Sequence, residues 1–176
     1  MGAKLYYPDD TVQHAGVILG IGGVAGHSHK MAPRNAHGYF SRLKVAQTLS
    51  AVTAACMLVR KSVYAEVRGM DSEHLKVAFN DVDFCLKVRE AGYRNVWTPF
   101  AELYHHESKS RGVEDTPEKQ ERFRREVETM LSRWAGILGT DSYYSINLTR
   151  TSEDFSIAMD QASTCLLYTS DAADEL

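Results

Sequence analysis

The chain has 176 residues, of which 44% are hydrophobic and 24% charged, with a formal net charge of −3; this is an ordinary composition for one domain with a proper core. The weak acidity gives no electrostatic reason to expect nucleic acid as a partner. No apolar run approaches the roughly 20 residues that span a bilayer, and the N-terminus lacks a charged-then-apolar leader, so the sequence reads as cytoplasmic.

Residues 3–7 and 12–19 read as two strands of a hairpin, because Pro8-Asp9-Asp10-Thr11 between them carries turn chemistry. The same chemistry accounts for Asp9-Asp10 without a metal. The glycine-rich stretch 20–26 does not open into a helix, as a phosphate-cradling loop should, and residues 20 to about 38 read as a mobile loop that orders over an acceptor site. His27, His29 and His37 could chelate a cation, but no acid lies beside them and Lys30 and Arg34 oppose one, so a solvated polar loop is expected. Residues 49–59 are small and apolar enough for a central strand. Ser62 is placed to cap a short helix from Val63 to Val67, which Gly69 closes.

The stretch Asn80 to Gly92 predicts a helix with an acidic start and a glycine stop. Its apolar residues Phe84, Cys85, Leu86, Val88 and Ala91 leave little polar circumference, so the helix should be buried and aim its start at one fixed place. Only one residue can be the cap, so Asp81 and Asp83 are not both explained by capping, and one carboxylate is left for a cleft. Residues 94–97 and 102–105 are short extended runs broken at Thr98-Pro99, which puts His105 near a strand end and His106 on the opposite face. On general grounds a lone His there is a structural hydrogen-bonder.

Residues 109–115 read as a charged loop. Thr116-Pro117-Glu118 then supplies a cap, a first-turn proline and a first-turn acid for a helix reaching the mid-130s, with Phe123, Val127, Met130, Leu131 and Trp134 as its core-facing stripe. Residues 141–154 look like an extended tail without a legible role. Cys56, Cys85 and Cys165 show no paired or metal-type spacing and are expected to be reduced, unreactive residues.

The run Asn80-Asp81-Val82-Asp83-Phe84-Cys85-Leu86-Lys87-Val88-Arg89-Glu90-Ala91-Gly92-Tyr93-Arg94 resembles the Glu-Asp-x-Asp signature of family-2 glycosyltransferases of the GT-A fold. Residues 97–108 resemble that family's strand ending in His, and residues 54–61 its acceptor-side strand. The resemblance runs from Gly2 to about Ser156. It implies an α/β fold: the C-terminal portion of a GT-A-type, Rossmann-like mixed-sheet domain whose nucleotide-binding N-terminal half is missing. Residues 1–158 would then be a partial catalytic domain, and residues 159–176 a non-native tail, since 165–175 resemble a translated sequencing adapter.

In activity, the resemblance implies inverting transfer from a nucleotide-sugar donor to a glycan or lipid-linked glycan acceptor in bacterial surface polysaccharide synthesis, by a cytoplasmic protein associated peripherally with the inner membrane face. Asp81 matches the general base and His105 a metal ligand for Mn²⁺ or Mg²⁺, with Asn80, Asp83 and His106 as substrate-binding residues. The sequence departs from the pattern at Arg68-Gly69-Met70-Asp71, where a first glycine is replaced, and at Asn80, where Glu is common. The family's metal-binding Asp-x-Asp triplet after a strand is absent, so the fragment alone is expected to be inactive. Two other readings are a non-catalytic carbohydrate-binding or assembly module and a metal-dependent hydrolase that gathers His27, His29, Asp81 and His105.

Overall fold

The computed structural model describes residues 1–106 and 116–159; the charged loop expected at 109–115, Cys165 and all but the first residue of the expected tail lie outside them. Besides three short 3₁₀ turns, the strands and α-helices of the described residues are, in order, β1 (Gly2–Tyr6), β2 (Val12–His14), β3 (Val17–Leu19), β4 (Ala25–His27), β5 (Gln47–Leu49), α1 (Lys61–Glu66), α2 (Asn80–Glu90), β6 (Asn95–Tyr104) and α3 (Pro117–Leu138). The main sheet has the order β2-β1-β6-β5, and β3 and β4 form a separate two-stranded ribbon. β6 lies parallel to β1 and antiparallel to β5, so the sheet is mixed and the fold is α/β.

The register of β1 against β6 jumps from Gly2↔Trp97 to Lys4↔Glu102. Pro99, which has no amide hydrogen for the ladder, lies within the extra length. The expected turn at 8–11 is present: Asp9 accepts from the Thr11 amide and hydroxyl, and Asp10 pairs with Arg34 at 2.9 Å.

Residues 20–38 are not one loop. Gly20, at φ 85, turns the chain back so that β4 pairs with β3, and Ser28 and His29 beyond it are buried. The central strand expected over 49–59 is also corrected, since only Gln47–Leu49 is strand, and it lies at the sheet edge. Beyond it the backbone amides are claimed by side chains rather than by a neighbouring strand: Val52 by Cys85 Sγ, Thr53 by His14 and Ala54 by Asp81. A 3₁₀ turn at Ala54–Cys56 is the result. α1 begins at Lys61 behind Arg60 without a side-chain cap, so Ser62 lies inside it.

α2 starts from Phe79, held at φ 61, so neither acid is the N-cap residue, although Asp81 accepts from the Val82 amide of the first turn. Its end matches expectation. Gly92 at φ 84 lets Tyr93 N–H reach the Val88 carbonyl at 3.1 Å and its own N–H the Arg89 carbonyl at 2.9 Å, closing the helix. α3 begins where the sequence places it, with Thr116 accepting from Lys119 N–H and Pro117 in the first turn. Its buried face is Glu126, Met130, Trp134 and Leu138, whereas Phe123 and Leu131 stay 43% and 42% exposed.

The principal core joins Tyr6, Trp97, Phe84, Leu86, Met130 and Trp134. A smaller cluster of Ile18, Ile21, Tyr144, Leu148 and Phe155 docks residues 141–155 against the ribbon, where Asp141 accepts from the Leu19 amide. Among the described residues no helix is long and apolar enough to cross a membrane.

Candidate functional site

Successive helical residues are about 100° apart, so Asp81 and Asp83 leave α2 on nearly opposite sides. Asp81 is half-buried. Its Oδ1 accepts from the Val82 amide at 2.9 Å and its Oδ2 from the Ala54 amide at 3.0 Å, which fixes the carboxylate between the helix start and the 3₁₀ turn. Asn80 beside it is also half-buried, and its side chain has no hydrogen-bond partner among the described residues.

Asp83 faces inward and is fully buried. Trp134 Nε1 donates to its Oδ1 at 3.0 Å and Arg133 at 3.2 Å, while Lys87 Nζ lies 3.1 Å from Oδ2 as a neighbouring charge without hydrogen-bond alignment. Its carboxylate therefore anchors α3 to the start of α2. Arg133 continues to Asp71 at 2.7 Å. Burial opposes ionisation of Asp71, but the His74 and Glu73 amides and Arg133 together hold its carboxyl well below the usual range.

His105 follows β6, half-buried, with its amide donating to the Tyr6 carbonyl at 2.9 Å. Its Nδ1 lies 2.8 Å from Gln13 Oε1, and Gln13 Nε2 donates to the His105 carbonyl at 3.4 Å. With the amide in that orientation, a neutral imidazole carries its proton on Nδ1 and has Nε2 as its acceptor. His106 is exposed. Gln13 and its neighbour His14, which accepts from the Gly16 and Thr53 amides at 3.3 Å each, had no local signal beyond being polar in an apolar strand.

The loop histidines do not gather around Asp81 and His105. His27 Nδ1 is held by the Gln13 carbonyl, His29 is buried between Ser28 and the Tyr39 amide, and His37 is exposed. Among the described residues no three His, Cys, Asp or Glu side chains are placed to hold a metal ion. A charged cleft of about 830 Å³ between Glu73, His74 and Lys76 and the Glu121 and Arg125 side of α3 includes neither Asp81 nor His105. Cys85 exchanges weak contacts with the Val52 backbone, and burial pushes its thiol up to about 12, which makes it inert at neutral pH.

No protein-family model matches the chain. No solved structure matches it either. Among curated proteins it is 57% identical over 155 residues to a protein named "Uncharacterized protein y4gI" of Sinorhizobium fredii, a match covering 88% of this chain and 17% of that protein. It is 35% identical over 160 residues to the O-antigen biosynthesis protein RfbC of Myxococcus xanthus, covering 88% of this chain and 12% of that protein. A shorter match, 34% over 61 residues, is to an N-acetylglucosaminyl-diphospho-decaprenol L-rhamnosyltransferase of Mycobacterium tuberculosis, covering 35% of this chain and 20% of that protein. The chain thus spans a fifth or less of the length of these relatives, and the two whose names state a role are an O-antigen biosynthesis protein and a rhamnosyltransferase.

Proposed function

We propose that these residues form the acceptor-side part of an inverting, GT-A-type glycosyltransferase that builds a bacterial surface polysaccharide, with Asp81 as general base. The observation that carries this reading is the Asp81 carboxylate, half-exposed at a buried helix start and fixed by two backbone amides. A base must be held within hydrogen-bond reach of the proton it takes, and two amides anchor a carboxylate without neutralising it. The two named relatives support the same class.

In this reading the acceptor hydroxyl gives its proton to Asp81 while its oxygen attacks the anomeric carbon of the donor sugar. The bond from that carbon to the donor's diphosphate breaks on the opposite face, the electron pair leaves with the nucleoside diphosphate, and the configuration inverts. Asn80 and His106 would contact the substrates. Asp83 contributes from inside, by fixing the helix start. A divalent cation, Mn²⁺ or Mg²⁺, would offset the charge on the departing diphosphate, and His105 Nε2 would help to hold it. A lipid-linked acceptor would place the reaction at the cytoplasmic face of the membrane.

The test is nucleotide-sugar turnover by the protein in which these residues are joined to a nucleotide-binding half, with Mn²⁺, in wild type beside Asp81→Asn. Loss of about 10²- to 10⁴-fold in kcat is expected for removal of the base. Undiminished turnover in the variant would reject Asp81 as base, and sugar binding without turnover in the wild type would favour a carbohydrate-binding module.

A further inference from the structure

Three successive amides, those of Thr53, Ala54 and Ala55, are taken by three side-chain acceptors: His14 Nε2 at 3.3 Å, Asp81 Oδ2 at 3.0 Å and Thr53 Oγ1 at 3.3 Å. Only the middle one belongs to the site. The direction of the Ala54 amide is set by the peptide plane it shares with Thr53, and Thr53 at φ −70, ψ 146 has no strand partner to hold that plane. The ring of His14 holds the Thr53 amide on the peptide before that plane, and the Thr53 hydroxyl takes the Ala55 amide on the peptide after it.

That ring is fully buried. Its Nε2 also accepts from the Gly16 amide at 3.3 Å, at the φ 97 turn between β2 and β3. Two donors on one nitrogen require a bare Nε2 and a proton on Nδ1. Nδ1 is buried with no hydrogen-bond partner among the described residues; the His27 ring stands edge-on beside it, 4.8 Å away between centroids. An apolar side chain would avoid stranding that donor, so the imidazole's distinctive contribution here is its acceptor. Burial, followed by the charge of His27, keeps the ring neutral by lowering its pKa well below the ordinary histidine value. A protonated ring would lose the acceptor.

We propose that His14 is a positioning residue for the reaction: by holding the Thr53 amide, in the Val52–Thr53 peptide, it orients the Thr53 backbone that carries the next amide, that of Ala54, which fixes the Asp81 carboxylate. This rests on the reading of Asp81 as the base. It links β2, a strand with no resemblance to any signature, to the start of α2, and it makes no contact with substrate.

Amide hydrogen exchange of the chain, residue by residue, tests the link without turnover. In His14→Ala the Ala54 amide should exchange about tenfold faster than in wild type while the middle of α2 keeps its protection. In His14→Gln, whose side-chain oxygen can accept in place of Nε2, protection of Ala54 should return. Faster exchange at Gly16 and Thr53 alone, with Ala54 unchanged, would reduce His14 to a structural residue and overturn the proposal. Should His14→Ala fail to fold, Thr53→Pro suits the observed φ and removes the donor while leaving the ring in place, and Thr53→Val removes only the hydroxyl; loss of Ala54 protection in the proline variant beyond that in the valine variant supports the link, and equal protection in the two overturns it.

In the longer transferase, His14→Ala should lower kcat by about tenfold with KM nearly unchanged, and His14→Gln should restore it. An unchanged kcat with a loosened Ala54 would also overturn the positioning role. Full turnover in Asp81→Asn would instead remove the base assignment and leave the exchange result standing.

Discussion

Gln13 Oε1 faces His105 Nδ1 at 2.8 Å while the same amide donates to the His105 carbonyl, so one side chain fixes both the rotation and the tautomer of the imidazole. Long-range ¹H–¹⁵N spectra should show the proton on Nδ1 in wild type. Gln13→Leu should give a mixture of tautomers; under the function proposed above it should also weaken divalent-cation binding by about 10- to 100-fold, the usual cost of losing a partner behind a histidine ligand. A proton on Nε2 in the wild-type chain would contradict this.

The two acids of α2 should separate in stability measurements. Asp83→Asn leaves Arg133 and Lys87 beside a neutral amide in a buried place and should cost about 2–3 kcal/mol. Asp81→Asn, half-exposed and able to keep an oxygen toward Ala54, should cost about 1 kcal/mol or less. Urea unfolding of the two variants, with m-values compared, measures the difference.

Acid should destabilise the chain partly through His29. Burial, helped by the charges of Arg42 and Lys4, lowers its pKa from 6.5 to about 4. The unfolded chain then takes up a proton below pH 6.5 that the folded chain refuses until about pH 4, so stability is full above pH 6.5 and is lost as pH falls through that window. A drop of that size corresponds to a loss on the order of 3 kcal/mol. Unfolding midpoints at pH 7 and pH 4.5 should differ less in His29→Gln than in wild type; an equal difference would exclude His29 as a contributor.

Gly16→Ala should be among the most damaging small changes. The residue sits at φ 97, and an added Cβ would lie 2.0 Å from Leu49 Cδ1, so the strained backbone and the core would both have to move. A loss of about 2–4 kcal/mol is expected by urea unfolding.

The parts of this fold that could be read in advance are those with local signals. Pro8-Asp9-Asp10-Thr11, Gly92 and Thr116-Pro117 each act within a few residues, and each ends or begins an element as expected. Residues 50–59 misled because their amides answer to His14, Asp81 and Cys85, between 27 and 39 residues away. Glu126 lies on a helix face that a polarity rule assigns to solvent, yet it is buried and caps the amides of Val77 and Ala78 at 2.9 and 3.0 Å. Asp81 was visible as one of two acids, but its separation from Asp83 needed Trp134 and Arg133 on another helix. Gln13 was invisible as a partner of His105 because 92 residues intervene.

The parallel pairing of β1 with β6 sets a timetable for the nascent chain. Gly2 meets Trp97 and Tyr6 meets Tyr104, so among the described strands only β2 can pair with β1 until β6 has been made. At ~5–20 residues per second its other edge waits roughly 5–20 s for β6 to be made. During that wait Leu5 and Tyr6, both covered in the finished fold, are open to any passing strand. Yield at physiological temperature should therefore depend on elongation rate and on holdase chaperones more than on the stability of the finished molecule.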